Sequence, residues 1–306
     1  MNIGWVAGDV RAVGLAQRRF GAAGARRLAE AGSLAAAQQM LLDHGFRHRI
    51  HVGADLAETE HVVSAAVLWH LRILAGWQPS AGFRLLRALA GGFETANIQG
   101  LASSLAGGEP TPAYELGALG WAWEQLREAK TLTALREALR GSVWGDPGSA
   151  RPADIADSAV LAWATRMGSV AGGARDWAAG VAALVVARRH VLQRSPLPGP
   201  ALRSAALLLG SAAVDKEELP ALVAVLPARA RWVLDGLDTP SQLWRGEVRW
   251  WIRVETDGAH LLAGSRFGPD KPVGAFAVSI ADVWRVRSAL EVAAGVAGIG
   301  ARDELA

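Results

Sequence analysis

The sequence lacks cysteine altogether, and its 306 residues include one tyrosine and three lysines. Without cysteine there are no disulfide bonds, thiolate metal ligands or cysteine nucleophiles. Long apolar runs are also missing, because Ala182–Ala187 and Ala205–Val214 are much shorter than the roughly 18 residues of a membrane-spanning helix. The arginine-rich segment that follows the first ten residues predicts no signal peptide. We therefore expect a protein of a reducing compartment that does not cross a bilayer by itself.

The charge is close to balanced, although the pI is about 9.9. The formal net charge is only +3, and arginine rather than lysine supplies nearly all of the positive charge. The high pI therefore reflects the choice of arginine more than an excess of cations, and we expect no nucleic-acid partner. Hydrophobic residues make up 51% of the chain, which is enough to build a folded core.

Most of the chain is rich in Ala, Leu, Arg, Glu and Gln, and apolar residues return every three or four positions. This spacing predicts helices throughout. The predicted helices are a stretch from Ser33 to about Gly45, and the ranges 62–74, 132–139, 155–167, 177–192, 202–209 and 280–292. Loops are predicted at Pro79, 107–110, 145–148, 196–200 and 268–269, where Gly and Pro interrupt the pattern.

An internal repeat links two parts of the chain at an offset of about 98 residues. Leu28–Ala36 reads LAEAGSLAA, and Leu126–Ala134 reads LREAKTLTA. Each copy predicts one helix that ends near Leu-x-Glu-Ala and a second helix that opens at the N-cap residue Ser33 or Thr131. A weaker third copy is predicted near 226–237.

One segment has two possible structures. Val248, Trp250, Ile252 and Val254 alternate with polar residues and Trp251, which is typical of a strand. In a helix the same segment would instead share one face with the preceding turn, and that face would carry Trp244, Val248, Trp251 and Glu255.

The motifs of several enzyme classes are missing. No lysine follows a glycine, so the phosphate-binding loop Gly-x-x-x-x-Gly-Lys is absent, and Gly-x-Ser-x-Gly and His-Glu-x-x-His do not occur. The glycine-rich range 295–300 follows a helical pattern and predicts a helix terminus. Histidines 44, 48 and 51 are interrupted by glycines and flanked by arginines, so we expect no metal site. We therefore predict no catalytic residue, no cofactor and no metal.

The range 85–120 carries the most specific motifs of the chain: Leu85–Ala88 (LLRA), Phe93–Gln99 (FETANIQ), Gly107–Pro112 (GGEPTP) and Leu116–Leu119 (LGAL). In this order they resemble the central-stalk connector family of rotary V-type and A-type ATPases, known as the C subunit in prokaryotes and the d subunit in eukaryotes. Glu94 stands where the family usually has Asp. The closing helical segment is similar too, since Gly274–Phe276 leads into a long helix with Asp282, Arg285 and Arg287 and then Gly298–Ile299.

The resemblance implies an all-α fold of three pseudo-symmetric helical repeat units that form a funnel-like bundle, with approximate boundaries 1–107, 108–205 and 206–306. It implies a non-catalytic subunit that links the central rotor shaft to the membrane proteolipid ring and transmits torque. Its partners would be the rotor-shaft subunits and the ring. The protein would be cytoplasmic, and it would meet the membrane only through the ring. Family-motif residues with a structural or interface role would be Glu94, Asn97, Gln99, Asp282 and Arg287.

Two other functions fit the sequence. The first is a helical-repeat binding or regulatory module that would bind nucleic acid or a small ligand. The first candidates for contacting that ligand are Arg188, Arg189, His190 and Arg194. An enzyme of an unrecognised type is the third alternative, although no combination of acid, base and nucleophile stands out.

Overall fold

The computed structural model describes residues 3–46 and 50–296, and all regular structure within these ranges is helical. The all-α prediction is therefore confirmed. Among the described residues, no helix combines the length and the apolar character needed to span a membrane. The α-helices are α1 (Val6–Ala16), α2 (Gly21–Ala29), α3 (Leu34–Leu41), α4 (Leu56–Gly76), α5 (Ser80–Leu105), α6 (Trp123–Leu126), α7 (Leu132–Arg140), α8 (Pro152–Val170), α9 (Arg175–Val186), α10 (Gly199–Leu209), α11 (Leu219–Val225), α12 (Ala228–Arg231), α13 (Leu243–Ala263) and α14 (Asp270–Ala293).

Each of the predicted helices overlaps an observed one. Two observed helices, α3 and α9, continue into π-helical turns at Leu42–Phe46 and Ala187–Leu192. Residues 248–254, for which the sequence allowed either a strand or a helix, form part of the helix α13. Trp250 and Val254, one turn apart, are buried, while Ile252 is exposed. The predicted helix terminus is confirmed at Ala293, and residues 297–300 of the glycine-rich range lie outside the described residues.

The chain divides into two compact units. The first comprises Met1–Phe83 and Val254–Ala306, and the second comprises Arg84–Arg253. The predicted boundaries near 107 and 205 do not coincide with this division. The threefold repeat stays a prediction.

The first unit is built around α14, which is buried along most of its length. Val286 and Leu290 pack in one apolar cluster with Leu28 of α2, Leu41 of α3 and Val63 of α4. The helices α13 and α14 approach closely at two glycines. A Cβ atom on Gly274 would lie 2.7 Å from the carbonyl oxygen of Gly258, so only glycine fits at this crossing.

The second unit has its core on α8 and α9. The helix α9 is rich in alanine, and Ala178, Ala179, Ala182 and Ala183 are fully buried. These short side chains let neighbouring helices pack at close range. Trp177 fills the remaining space, and its carbonyl oxygen accepts a hydrogen bond of 2.8 Å from the indole N–H of Trp250.

Both N-caps predicted from the repeat are confirmed. The hydroxyl of Ser33 accepts a hydrogen bond from the backbone N–H of Ala36 at 3.2 Å and opens α3. The hydroxyl of Thr131 accepts from Ala134 N–H at 3.1 Å and opens α7. Ser33 and Thr131 both have extended backbone angles, so the two copies share the same local geometry.

Candidate functional site

Glu94 lies on α5 and is fully buried. One carboxylate oxygen, Oε2, accepts a hydrogen bond from Trp121 N–H at 2.6 Å. The other, Oε1, accepts from Ala122 N–H at 2.7 Å and from the indole N–H of Trp144 at 2.9 Å. Both oxygens are thus used to hold backbone and indole donors, which is how a buried carboxylate is stabilised.

Asn97, one turn further along α5, binds the same loop. Its amide N–H donates to the carbonyl oxygen of Tyr114 at 2.9 Å, and its side-chain oxygen accepts from Tyr114 N–H at 2.7 Å. The Tyr114 ring also contacts Phe93 edge to face, with 5.2 Å between ring centroids. Glu94 and Asn97 therefore fix both ends of the loop 114–122 to one helix, and we call this arrangement the α5 clamp.

Two arginines surround the α5 clamp with positive charge. Arg87 donates from Nε to the carbonyl oxygen of Gly120 at 3.1 Å, and its guanidinium lies 4.1 Å from the Trp121 ring centroid. Arg166 lies 4.9 Å from the Trp144 ring centroid. Burial lowers the pKa of Arg166, and the charge of Glu94 acts in the opposite direction. The clamp thus keeps opposite charges close together in a partly dehydrated environment.

Asp282 on α14 makes a similar arrangement in the first unit. It accepts from Phe20 N–H at 2.7 Å and from Gly21 N–H at 2.8 Å, at the start of α2. Burial raises the pKa of Asp282, although these two hydrogen bonds oppose the shift. In both units a carboxylate on a long helix accepts hydrogen bonds from two consecutive backbone N–H groups at the start of a short helix, α2 or α6. The helix after that one, α3 or α7, opens at the N-cap Ser33 or Thr131.

The other two motif residues lie apart from these hydrogen bonds. Gln99 is half-buried on α5 and does not take part in the α5 clamp. Arg287 is exposed on α14 and donates from Nη2 to Glu60 at 2.9 Å. On the same helix Arg285 forms an ion pair with Glu255. The structure therefore groups Glu94 with Asn97, while Asp282 and Arg287 serve separate contacts in the other unit.

Sequence reasoning missed a buried ion-pair network in the second unit. Arg189, which is 3% exposed, contacts Asp154 at 2.8 Å and Asp157 at 3.3 Å. Arg188 contacts Asp157 at 2.6 Å, and Arg151 contacts Asp154 at 2.7 Å. Burial raises the pKa of Asp157. Burial also acts to raise the pKa of Asp154, but hydrogen bonds from Arg151 and Ser149 outweigh it and keep that pKa below its usual value.

The residues that the sequence suggested as candidates for binding nucleic acid or a small ligand all have partners within the second unit. Arg188 and Arg189 pair with aspartates of α8, and Arg194 pairs with Glu218 at 3.1 Å. His190 Nε2 accepts a hydrogen bond from Leu197 N–H at 3.1 Å, and burial lowers its pKa. The two aspartates are three residues apart on a largely apolar helix, a pattern that signals a buried partner of opposite charge.

No cluster of three or more His, Asp or Glu side chains suited to a metal occurs within the ranges 3–46 and 50–296. The ring of His44 packs against Phe20, with 4.4 Å between centroids. His48 lies outside the described residues. His61 is half-buried, and burial lowers its pKa.

The fold and these sites define an all-helical protein in which buried carboxylates hold chain segments in place. No family model and no curated protein matches this chain at a significant level.

Proposed function

We propose that the protein is a non-catalytic central-stalk subunit of a rotary V/A-type ATPase. It links the central rotor shaft to the membrane proteolipid ring and transmits torque for ATP-coupled ion transport. The observation that carries the proposal is the α5 clamp, because Glu94 and Asn97 of one family motif both fix the loop that contains another, Leu116–Leu119.

If the likeness to the family motif were due to chance, the motif residues would lie on exposed and buried helix faces alike. Glu is among the residues least often buried, and it is fully buried only where it has partners. Glu94 is fully buried and Asn97 is 4% exposed, and both bond to backbone groups of one loop. The motif therefore coincides with a specific tertiary contact, which supports the resemblance.

The second support is the recurrence of the arrangement. Asp282 with Ser33, and Glu94 with Thr131, each combine a carboxylate on a long helix with a helix and an N-capped helix, although Asp282 follows these helices in the chain and Glu94 precedes them. Such a recurrence is expected of a chain built from repeated helical units. We extend it to three pseudo-symmetric units, near 1–107, 108–205 and 206–306, arranged as a funnel-like bundle.

The proposed role requires stiffness rather than chemistry. A subunit that passes torque must resist deformation between two partners, and charge-assisted hydrogen bonds inside a packed core are strong and directional. Glu94 and Asp282 supply such bonds at the starts of helices, and Asn97 adds two neutral hydrogen bonds to the backbone of Tyr114. The protein would lie at the cytoplasmic face of the membrane and meet it only through the ring.

The test is direct binding of the full chain to each partner separately. The isolated pair of rotor-shaft subunits and the detergent-solubilised proteolipid ring are each immobilised, and the chain is passed over both. We expect saturable binding to both surfaces. Absence of binding to both would refute the proposal. Glu94→Ala, which releases the loop 114–122, is compared with Glu109→Ala, which changes an exposed loop residue, to ask whether the α5 clamp shapes the binding surface.

A further inference from the structure

The second unit contains a groove of about 650 Å³ between α8, α10 and the loop that follows α7. Its walls include Trp144, Ser158, Ala162, Arg203, Ser204 and Leu207. The volume falls within the range of small-molecule sites, roughly 300 to 1,000 Å³. None of the motif residues lies in it, so it is separate from the resemblance to a stalk subunit.

The groove is built by the packing of small residues. Ser158 and Ala162 of α8 face Ala201 and Ser204 of α10, and these short side chains leave the space unfilled. Close to the lining residue Asp146, Gly148 has a positive φ of 86° and a Cβ there would lie 2.8 Å from Pro198, so only glycine fits this turn. The groove is thus part of the folded architecture.

The aromatic wall is held in place from behind. Trp144 is only 5% exposed, and its indole N–H donates to Glu94 at 2.9 Å. Its side chain therefore keeps one orientation, with part of its surface lining the groove. A fixed aromatic surface binds an apolar group without a large loss of side-chain entropy.

The rim combines an apolar and a cationic group on one face of α10. Leu207 is 78% exposed, which is unusual for a large apolar side chain, and Arg203 lies one helical turn before it. No carboxylate is within ion-pair distance of Arg203 in the described part of the chain. The acidic residue of the lining, Asp146, contacts Arg136 at 2.9 Å, so its charge is already balanced.

We propose that this groove binds a small monocarboxylate with an alkyl tail. The guanidinium of Arg203 matches a carboxylate in a bidentate geometry, and the nearby Ser204 hydroxyl supplies a further donor. The tail would lie against Trp144, Ala162 and Leu207. A single unpaired cation favours a ligand with one negative charge. This site goes beyond the proposed function and does not depend on it.

The experiment is isothermal titration calorimetry on the full chain with three probes that share one tail: octanoate, octylammonium and 1-octanol. We expect octanoate to bind at one site per chain, 1-octanol to bind more weakly and octylammonium not to bind at the same concentration. Arg203→Gln should weaken octanoate binding by about tenfold or more, because it removes a charge-assisted hydrogen bond. Arg245→Gln, an exposed arginine of α13 outside the groove, should leave the affinity unchanged.

A second variant tests the volume rather than the charge. Ala162→Leu places a larger side chain in the groove and should abolish octanoate binding. Circular dichroism on each variant separates loss of the site from loss of the fold. The proposal is overturned if octanoate does not bind, if octylammonium binds equally well, or if folded Arg203→Gln and Ala162→Leu both bind like the unsubstituted chain.

Discussion

Replacement of Glu94 by glutamine keeps the shape of the side chain and removes one acceptor of the α5 clamp. The amide oxygen can still accept from Ala122 and Trp144, as Oε1 does. The amide N–H₂ would face the N–H of Trp121, which Oε2 now binds at 2.6 Å. Loss of one charge-assisted hydrogen bond at a buried site costs about 2 kcal/mol. Glu94→Ala loses all three bonds and should cost roughly 5 kcal/mol.

The measurement is urea unfolding followed by circular dichroism, combined with hydrogen exchange of the peptide that covers residues 114–122. We expect Glu94→Gln to lower the free energy of unfolding and to speed exchange at the amides of Trp121 and Ala122. Glu109→Gln is the control, because Glu109 is exposed in the preceding loop. If Glu94→Gln behaves like this control in both measurements, the α5 clamp does not stabilise the loop 114–122 and does not support the proposed function.

Three further predictions concern the other polar contacts. Ser33→Ala and Thr131→Ala should each cost about 1 kcal/mol of unfolding free energy, and urea melts of the double variant should show additive effects. Arg189→Met removes the buried guanidinium that pairs with both Asp154 and Asp157, and these aspartates keep only the more exposed Arg151 and Arg188 as partners, so it should cost about 3 kcal/mol in the same melts. Arg194→Met, at an exposed ion pair, should cost less than about 1 kcal/mol. Burial raises the pKa of Asp282 above 3.8, so the folded state holds this proton more tightly than the unfolded state. The free energy of unfolding should therefore fall as pH rises through the raised pKa, and urea melts of Asp282→Asn should show a shallower fall as pH rises above about 4.

Each prediction has an outcome that contradicts it. If Ser33→Ala is as stable as the unsubstituted chain, the Ser33 N-cap does not stabilise α3. Equal losses for Arg189→Met and Arg194→Met would mean that burial of the ion pair has no special cost. An unchanged pH dependence in Asp282→Asn would show that this carboxylate does not titrate differently in the folded state.

The sequence was sufficient to predict several of the helices and the N-caps at Ser33 and Thr131, because these depend on local patterns, but α1, α11 and α12 were not among the predicted ranges. Apolar spacing and the residues Ser33 and Thr131 report on interactions within a few positions. The range 248–254 was ambiguous, since tryptophans there satisfy both a strand and a helix pattern. Packing resolved it, because Trp250 and Val254 are buried one turn apart.

The long-range contacts of the sites could not be predicted from the sequence. The motif singled out Glu94 and Asn97, but their partners at Tyr114, Trp121 and Trp144 are between 17 and 50 residues away. No local rule selects such partners. Arg189 was misjudged for the same reason, since its aspartates lie on another helix and bury it where a surface arginine was expected.

The proposed role of this protein, to join a rotor shaft to a membrane ring, can be tested by a bridging experiment. The detergent-solubilised ring is immobilised, and the labelled pair of shaft subunits is added with and without the full chain. We expect the shaft pair to be retained only when the chain is present, in proportion to the chain bound. Retention of the shaft pair to the same extent without the chain, or no retention with it, would refute the proposed function.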